Sequence, residues 1–117
     1  MQQRLFVYGT LAPGQPNAHE LSGIDGTWEP ATLRGRLFAA GWGAASGYPG
    51  VVVDPAATAI AGHVLTSTDL HQHWRRLDAF EGDGYQRMLA PVQLASGAIV
   101  DAYVYALSAP QAGGGEQ

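Results

Sequence analysis

The sequence contains no cysteine and no lysine, and its basic residues are six arginines. Without cysteine the chain has no disulfide and no thiolate chemistry, and we expect a cytoplasmic protein. The net charge is −4 and the arginines are spread over several predicted elements, so we expect no nucleic-acid partner. No apolar run is long enough to span a bilayer and no signal-peptide pattern precedes the first strand, so we expect no membrane partner.

The 117 residues are 46% apolar and only 14% charged, which is typical of a compact globular protein. This length predicts one domain with a real core. We place that domain at residues 1–107. Residues 108–117 are rich in Gly and Ala, and we expect them to form a disordered tail.

Six segments have the β-branched and alternating pattern of strands. They are Leu5–Tyr8, Thr32–Phe38, Val51–Val53, Ala59–Thr66, Tyr85–Leu94 and Ile99–Leu107. With one main helix and one short helix beginning at residues 17–21, the pattern predicts an α+β fold. Glycines such as Gly35, Gly50 and Gly62 at strand ends or interiors indicate a curved sheet, and hence a small β-barrel.

The main helix is predicted over residues 68–81. Its apolar side chains fall in one narrow sector at about 100° per residue, and they are Leu70, Trp74 and Leu77. The same count puts Glu81 in the middle of that inward face, at the helix C-terminus just before Gly82. Burial and the helix dipole both disfavour its charged form, so we expect a raised pKa, which suits proton transfer near neutral pH.

Two structural explanations of Glu81 remain open at this point. The last turn could fray and carry the side chain into solvent. Alternatively, Glu81 could form an ion pair with Arg87, since structural ion pairs also perturb carboxylates.

The loop after the first strand, residues 9–17, is dense in turn residues. It lacks the GxGxxG pattern and the lysine of a P-loop, so nucleotide binding has little support. Its backbone N–H groups are free of strand pairing and could hold a carboxylate or an oxyanion. An ordinary strand-to-helix connection is the alternative.

The histidines do not predict a metal site. His71 and His73 lie about 200° apart on a helix and cannot chelate one ion together, and His63 lies on the preceding strand. Trp42, Tyr48 and Tyr85 sit in or beside Gly-rich loops, where they either line a pocket or fill the core.

Two motifs taken together resemble the gamma-glutamylcyclotransferase-like family. They are Phe6–Leu11 followed by Gly14–Asn17, and Leu77–Gly82 followed by Tyr85 and Arg87. The similarity extends to Tyr48–Gly50 and to the aromatic strand Asp101–Tyr105. The first motif is similar to the branch that contains AIG2-like proteins and gamma-glutamylamine cyclotransferases.

The resemblance implies a small mixed barrel flanked by helices and an enzyme without a cofactor. Such enzymes cleave gamma-glutamyl amides by letting the substrate's α-amine attack its γ-carbonyl, which yields 5-oxoproline and a free amine. The family's single proton-shuttling Glu corresponds to Glu81. Its glutamyl-binding loop corresponds to Tyr8, Gly9, Thr10 and Leu11. We add Tyr48 and Tyr85 to the expected substrate-binding residues.

Relatives often carry Gly-Glu-Val-Tyr where this chain has Gly62, His63, Val64 and Leu65, so the adjoining pocket wall differs. The leaving amine and the oligomeric state are not encoded in a readable pattern. Two functions of other classes stay open: a non-catalytic module that binds a glutamyl-like acidic metabolite, and a structural protein that does not use the pocket.

Overall fold

Six strands and two α-helices form the part of the chain that the computed structural model describes, which is residues 2–9, 11–41, 45 and 49–108. The strands are β1 (Gln3–Val7), β2 (Thr27–Phe38), β3 (Gly50–Val53), β4 (Ala59–Ser67), β5 (Tyr85–Leu94) and β6 (Ile99–Leu107). The helices are α1 (His19–Ser22) and α2 (Trp74–Glu81), and a 3-10 helix, Leu70–Gln72, precedes α2. Each of the six predicted strands has a counterpart, and the predicted strands Tyr85–Leu94 and Ile99–Leu107 match the structure in both bounds.

Five of the strands close into a barrel in the order β2, β4, β1, β6, β5. The ring closes where Ala31–Leu33 of β2 pairs with Val92–Leu94 of β5. β3 is an extra strand that pairs with the end of β2, Gly35–Phe38. All pairings are antiparallel except that of β1 with β6, which is parallel. The predicted α+β class with a small, mixed, curved β-barrel is therefore confirmed.

Alternate side chains of the strands belong to two separate cores. Phe6, Val64 and Val104 pack together inside the barrel. Their neighbours Leu5 and Leu65 point to the other face and pack under the helices. Strand side chains alternate between the two faces of a sheet, so one short sequence such as β1 supplies both cores. This arrangement leaves the end of β1 between the barrel interior and α2.

The predicted helix over residues 68–81 is only partly correct. Leu70, Trp74 and Leu77 are buried in the outer core, as their spacing predicts. The backbone, however, breaks at His73, whose φ of −112° and ψ of −9° separate the 3-10 helix from α2. Its N–H bonds the carbonyl of Leu70 at 2.8 Å, three residues back, which is the 3-10 pattern. Apolar periodicity indicates which face is buried but does not distinguish these two kinds of turn.

Two glycines have conformations or contacts that other residues would not tolerate. A Cβ on Gly62 would collide with the carbonyl oxygen of Val7 and the ring of Phe6, because the backbone of β1 passes close to β4 at this position. Gly82 has a φ of +81°, a value that L-residues rarely adopt. It ends α2 immediately after Glu81 and so fixes where the last helical side chain points.

Candidate functional site

A cavity of about 380 Å³ opens where the end of β1 meets the C-terminus of α2. It is lined by Phe6, Val7, Tyr8, Gly9, Leu11, Asn17, Pro49, Phe80, Glu81, Tyr85 and Tyr105. The volume falls in the range of pockets that hold one small molecule. Aromatic and aliphatic side chains make up most of its surface, and Glu81 is the carboxylate among them.

The loop that leaves β1 forms one side of this cavity. Its chain turns at Gly9, whose carbonyl accepts the N–H of Ala12 at 3.0 Å. Among the described residues, no backbone carbonyl accepts the N–H of Gly9 or of Leu11. Both residues line the cavity, and backbone donors without a backbone acceptor suit a carboxylate or a developing oxyanion.

Glu81 is the last residue of α2, is partly buried and lines the cavity. Burial raises its pKa from 4.5 to about 7. No described side chain forms an ion pair with it, and Arg87 binds Asp78 instead. Both structural explanations left open by the sequence are thus wrong: the helix does not fray outward here, and the arginine has another partner. A carboxyl with a pKa near 7 can both accept and release a proton at neutral pH.

Two tyrosine hydroxyls that line the cavity form hydrogen bonds with the backbone at the start of β3. Tyr85 donates to the carbonyl of Pro49 at 2.6 Å. Tyr8 accepts the N–H of Val51 at 3.2 Å and donates to the carbonyl of Tyr105 at 2.6 Å. Burial raises the pKa of Tyr8 well above its ordinary value, so its phenol stays neutral. Tyr8 therefore acts as a neutral hydrogen-bonding group, whereas Glu81 has a pKa near 7.

The structure brings together five of the seven residues predicted for the site. Tyr8, Gly9, Leu11, Glu81 and Tyr85 all line the cavity. Two others, Thr10 and Tyr48, lie outside the described residues.

Sequence reasoning did not assign six further lining residues to the site, namely Phe6, Val7, Asn17, Pro49, Phe80 and Tyr105. Each lies within a motif already quoted for the family resemblance. Position in those motifs was the available signal, because none of the six stands out by composition or periodicity.

A second, more open hollow of about 810 Å³ adjoins the cavity and shares Tyr8, Gly9 and Pro49 with it. His63 belongs to this neighbouring hollow and not to the cavity that contains Glu81. Leu65 is buried in the outer core. Neither of the two positions that depart from the family pattern lines the cavity around Glu81.

Within the described ranges, no group of three or more His, Asp or Glu side chains is arranged to hold a metal ion. None of the helices in this part of the chain is long and apolar enough to cross a membrane.

Comparison with known families identifies the domain. Residues 5–117 match the family described as "Gamma-glutamyl cyclotransferase, AIG2-like". The chain belongs to this family. Membership in the gamma-glutamyl cyclotransferase, AIG2-like family accounts for the paired motifs at the end of β1 and the end of α2. It also agrees with the closed barrel and its extra strand.

Solved structures of related proteins share the barrel. YkqA from Bacillus subtilis is 33% identical with a TM-score of 0.70, over 92% of this chain and 36% of that one. An AIG2-like protein from Mus musculus is 27% identical with a TM-score of 0.67, over 94% of this chain and 81% of that one. A structure described as "Gamma-glutamyl cyclotransferase" is 16% identical with a TM-score of 0.66, over 92% of this chain and 68% of that one, and shows the fold alone. The chain thus spans about a third of the length of the Bacillus protein. No curated protein matches the sequence.

Proposed function

We propose that this protein is a gamma-glutamyl amide cyclotransferase that releases 5-oxoproline and a free amine, with Glu81 as its proton shuttle. One observation carries the proposal. Glu81, whose pKa burial raises to about 7, lines the same cavity as Gly9 and Leu11, whose N–H groups have no described backbone acceptor. A single site thus offers an anion-binding element and a group that can move a proton. A cytoplasmic location, expected from the absence of cysteine, is part of this proposal.

The reaction needs no second reactant. The lone pair of the substrate's α-amine attacks its own γ-carbonyl carbon, and the new C–N bond closes a five-membered lactam. The C–N bond to the leaving amine then breaks as the γ-carbonyl re-forms. Because both reacting groups belong to one molecule, holding the glutamyl chain in a curled conformation supplies much of the rate.

Glu81 would act twice in this sequence. As a carboxylate it takes the proton that the α-amine loses during attack. As a carboxylic acid it gives that proton to the departing amine nitrogen. Such a group works best with a pKa near the working pH, because both protonation states are then populated. The value of about 7 meets that requirement, whereas the ordinary value of 4.5 would leave the acid form scarce.

The backbone donors of Gly9 and Leu11 would hold the substrate's α-carboxylate or the oxyanion that forms on its γ-carbonyl. Donors fixed in position before the reaction cost little reorganisation as charge develops. The hydroxyls of Tyr8 and Tyr85 form hydrogen bonds with backbone groups of Pro49, Val51 and Tyr105. Their part would be to keep the cavity in shape.

The neighbouring hollow, which shares Tyr8, Gly9 and Pro49 with the cavity, is the nearest space for the leaving amine. The cavity thus defines the glutamyl part of the substrate better than it defines the leaving group. The leaving amine has to be identified with a panel of substrates.

A direct test incubates the purified protein with gamma-glutamyl amines and gamma-glutamyl amino acids and measures 5-oxoproline by mass spectrometry. Glu81→Gln keeps the side-chain size but removes the titrating group, so we expect it to lower the rate about 10²- to 10⁴-fold. Glu29→Gln removes a carboxylate of β2 that does not line the cavity, and it should retain activity. Full activity of Glu81→Gln would disprove the role of Glu81.

The same experiment separates the enzyme from a binding module. If no substrate of a broad panel is turned over, the proposed reaction is wrong. Thermal stabilisation by glutamate-like ligands without turnover would then indicate a binding module. A melting temperature unchanged by any ligand would indicate a structural protein that does not use the pocket.

A further inference from the structure

The open hollow beside the cavity is built largely from small residues. Its described lining includes Ala12, Ala31, Ala61, Gly62 and Ala95. Short side chains leave space above the strands, and the hollow has a volume of about 810 Å³. A space of this size holds a small molecule or a large part of one.

The hollow and the cavity are contiguous. They share Tyr8, Gly9 and Pro49. In addition, Val7 of the cavity pairs directly with His63 of the hollow, across β1 and β4. Directly opposed residues of antiparallel strands have Cα atoms about 5 Å apart. One extended ligand can therefore occupy both spaces.

Three polar side chains of the hollow belong to one face of the sheet. Thr32 of β2 is directly opposite Gln93 of β5 on one side and Ala61 of β4 on the other. His63 follows Ala61 by two residues on β4, so it lies on the same face. Opposed residues on one face have Cβ atoms about 5 Å apart, and diagonal neighbours are about 7–8 Å apart. Thr32, His63 and Gln93 therefore form a polar row across three strands.

The polar row has no negative charge. Apart from the phenol of Tyr8, His63 is the one ionisable side chain in the described lining of the hollow, and its charge is either zero or positive. Two charged residues of the same face lie outside the hollow. Arg34 follows Thr32 by two residues, and Asp101 of β6 is opposite Pro91, two residues before Gln93; their charges have opposite signs. A cation in the hollow thus finds no counter-ion among the described lining residues.

We propose that the polar row is a leaving-group subsite that selects gamma-glutamyl amides whose leaving amine carries a carboxylate. The hydroxyl of Thr32, the imidazole of His63 and the amide nitrogen of Gln93 are all hydrogen-bond donors that suit this group. An ammonium group at the same place would have neutral acceptors alone. The inference rests on the proposed function, because the glutamyl part of the ligand has to lie in the cavity, but binding tests it without turnover.

The test compares three gamma-glutamyl amides whose leaving amines have the same carbon chain. The chain ends in a carboxylate in gamma-aminobutyrate, in a methyl group in butylamine and in an ammonium group in putrescine. Affinities are measured by NMR titration of Glu81→Gln, which lacks the proposed proton shuttle, and kcat/KM is measured on the wild type. We expect the carboxylate amide to bind about tenfold more tightly than the ammonium amide. It should also shift the backbone amide signals of Thr32, His63 and Gln93.

Gln93→Glu, made in the Glu81→Gln protein, places a carboxylate in the polar row without changing the size of the side chain. It should weaken binding of the carboxylate amide and strengthen binding of the ammonium amide by about three- to fivefold each, which abolishes or reverses the preference. His63→Gln removes the side chain that can be positive, so it should reduce the preference without reversing it. Gln86→Glu is the matched control, because it adds the same charge to an exposed position of β5 that lines neither space. It should leave the ratio of affinities unchanged.

Several results would overturn the inference: equal binding of the three amides, no binding of any, or tightest binding of the ammonium amide. It would also fail if Gln86→Glu changed the ratio as much as Gln93→Glu, because net charge would then be the cause. Binding of the carboxylate amide without shifts in the polar row would place its end group elsewhere. Turnover of all three amides with equal kcat/KM would overturn this inference and leave the proposed function intact. Binding in the expected order without turnover by the wild type would count against the proposed function and not against the subsite.

Discussion

Replacing Glu81 with Gln should stabilise the protein at neutral and alkaline pH while it removes the proton shuttle. Burial raises the pKa of Glu81 from 4.5 to about 7, so the folded state disfavours the carboxylate. The sign follows from proton linkage. At pH values below 4.5 the side chain is protonated in both the folded and the unfolded state, and burial of its charge costs nothing. Between pH 4.5 and 7 the unfolded chain ionises first, and stability falls as the pH rises.

The size of this effect follows from the shift. Each unit of pKa difference is worth about 1.4 kcal/mol, so the wild type should lose roughly 3 kcal/mol of unfolding free energy between pH 4 and pH 8 because of this one group. Glu81→Gln carries no charge at any pH and escapes the loss. For a domain of this length such a difference corresponds to roughly 10 °C in melting temperature.

The assay is urea or thermal unfolding of wild type, Glu81→Gln and the control Glu29→Gln at several pH values from 4 to 9. We expect Glu81→Gln and wild type to approach each other near pH 4 and to separate above pH 7, with the variant more stable. Glu29→Gln should follow the wild-type curve. A constant difference between Glu81→Gln and wild type across this range would refute the reasoning, because it would mean that the carboxyl is not disfavoured by burial.

Three further substitutions test the geometry of the site and the fold. Tyr8→Phe leaves the N–H of Val51 without its acceptor and should cost about 1–3 kcal/mol in urea unfolding; an unchanged midpoint would mean that this bond contributes nothing. Gly62→Ala forces a methyl group against the carbonyl oxygen of Val7, and we expect a loss of about 1–3 kcal/mol by the same assay, since backbone yields little. Gly82→Ala places a side chain at a φ of +81° and should cost about 1–2 kcal/mol. Because that strain falls next to Glu81, the kcat of the Gly82→Ala variant should drop more than its loss of stability alone predicts. A kcat equal to that of the wild type would contradict this.

Much of the barrel could be predicted from the sequence because strand pattern and burial coincide. Pro91 illustrates this in β5, which the alternating pattern predicted as one strand despite the proline. Pro91 has no backbone N–H to donate, and it lies within β5 just before Val92, where pairing with β2 begins. The start of β2 was not predicted, because Glu29 and Pro30 lack the residue pattern of a strand. They nevertheless pair with β4.

The candidate site was less predictable than the fold. The position of Glu81 on the inward face follows from helical periodicity, and the loop after β1 follows from its turn residues. The partner of Arg87 does not follow, because Asp78 and Glu81 are on the same helix face and the sequence cannot say which one the guanidinium reaches. That choice depends on Trp74 and Tyr103, which enclose the cation only after α2 packs on the barrel.

The short closure of the barrel also bears on how the protein opens. β2 and β5 meet at only three paired positions, Ala31–Leu33 with Val92–Leu94. In the ring, β1 lies between β4 and β6, away from this closure. The parallel pairing of β1 with β6 is shorter still, with two paired positions, whereas β1 and β4 share five. Local unfolding begins where few interactions must be broken, so amide protons at these two short seams should exchange with solvent faster than those that join β1 to β4. The barrel can then open at either seam while β1, which leads to the cavity, stays paired with β4, and a ligand bound there would slow exchange in β1 more than at the β2–β5 seam.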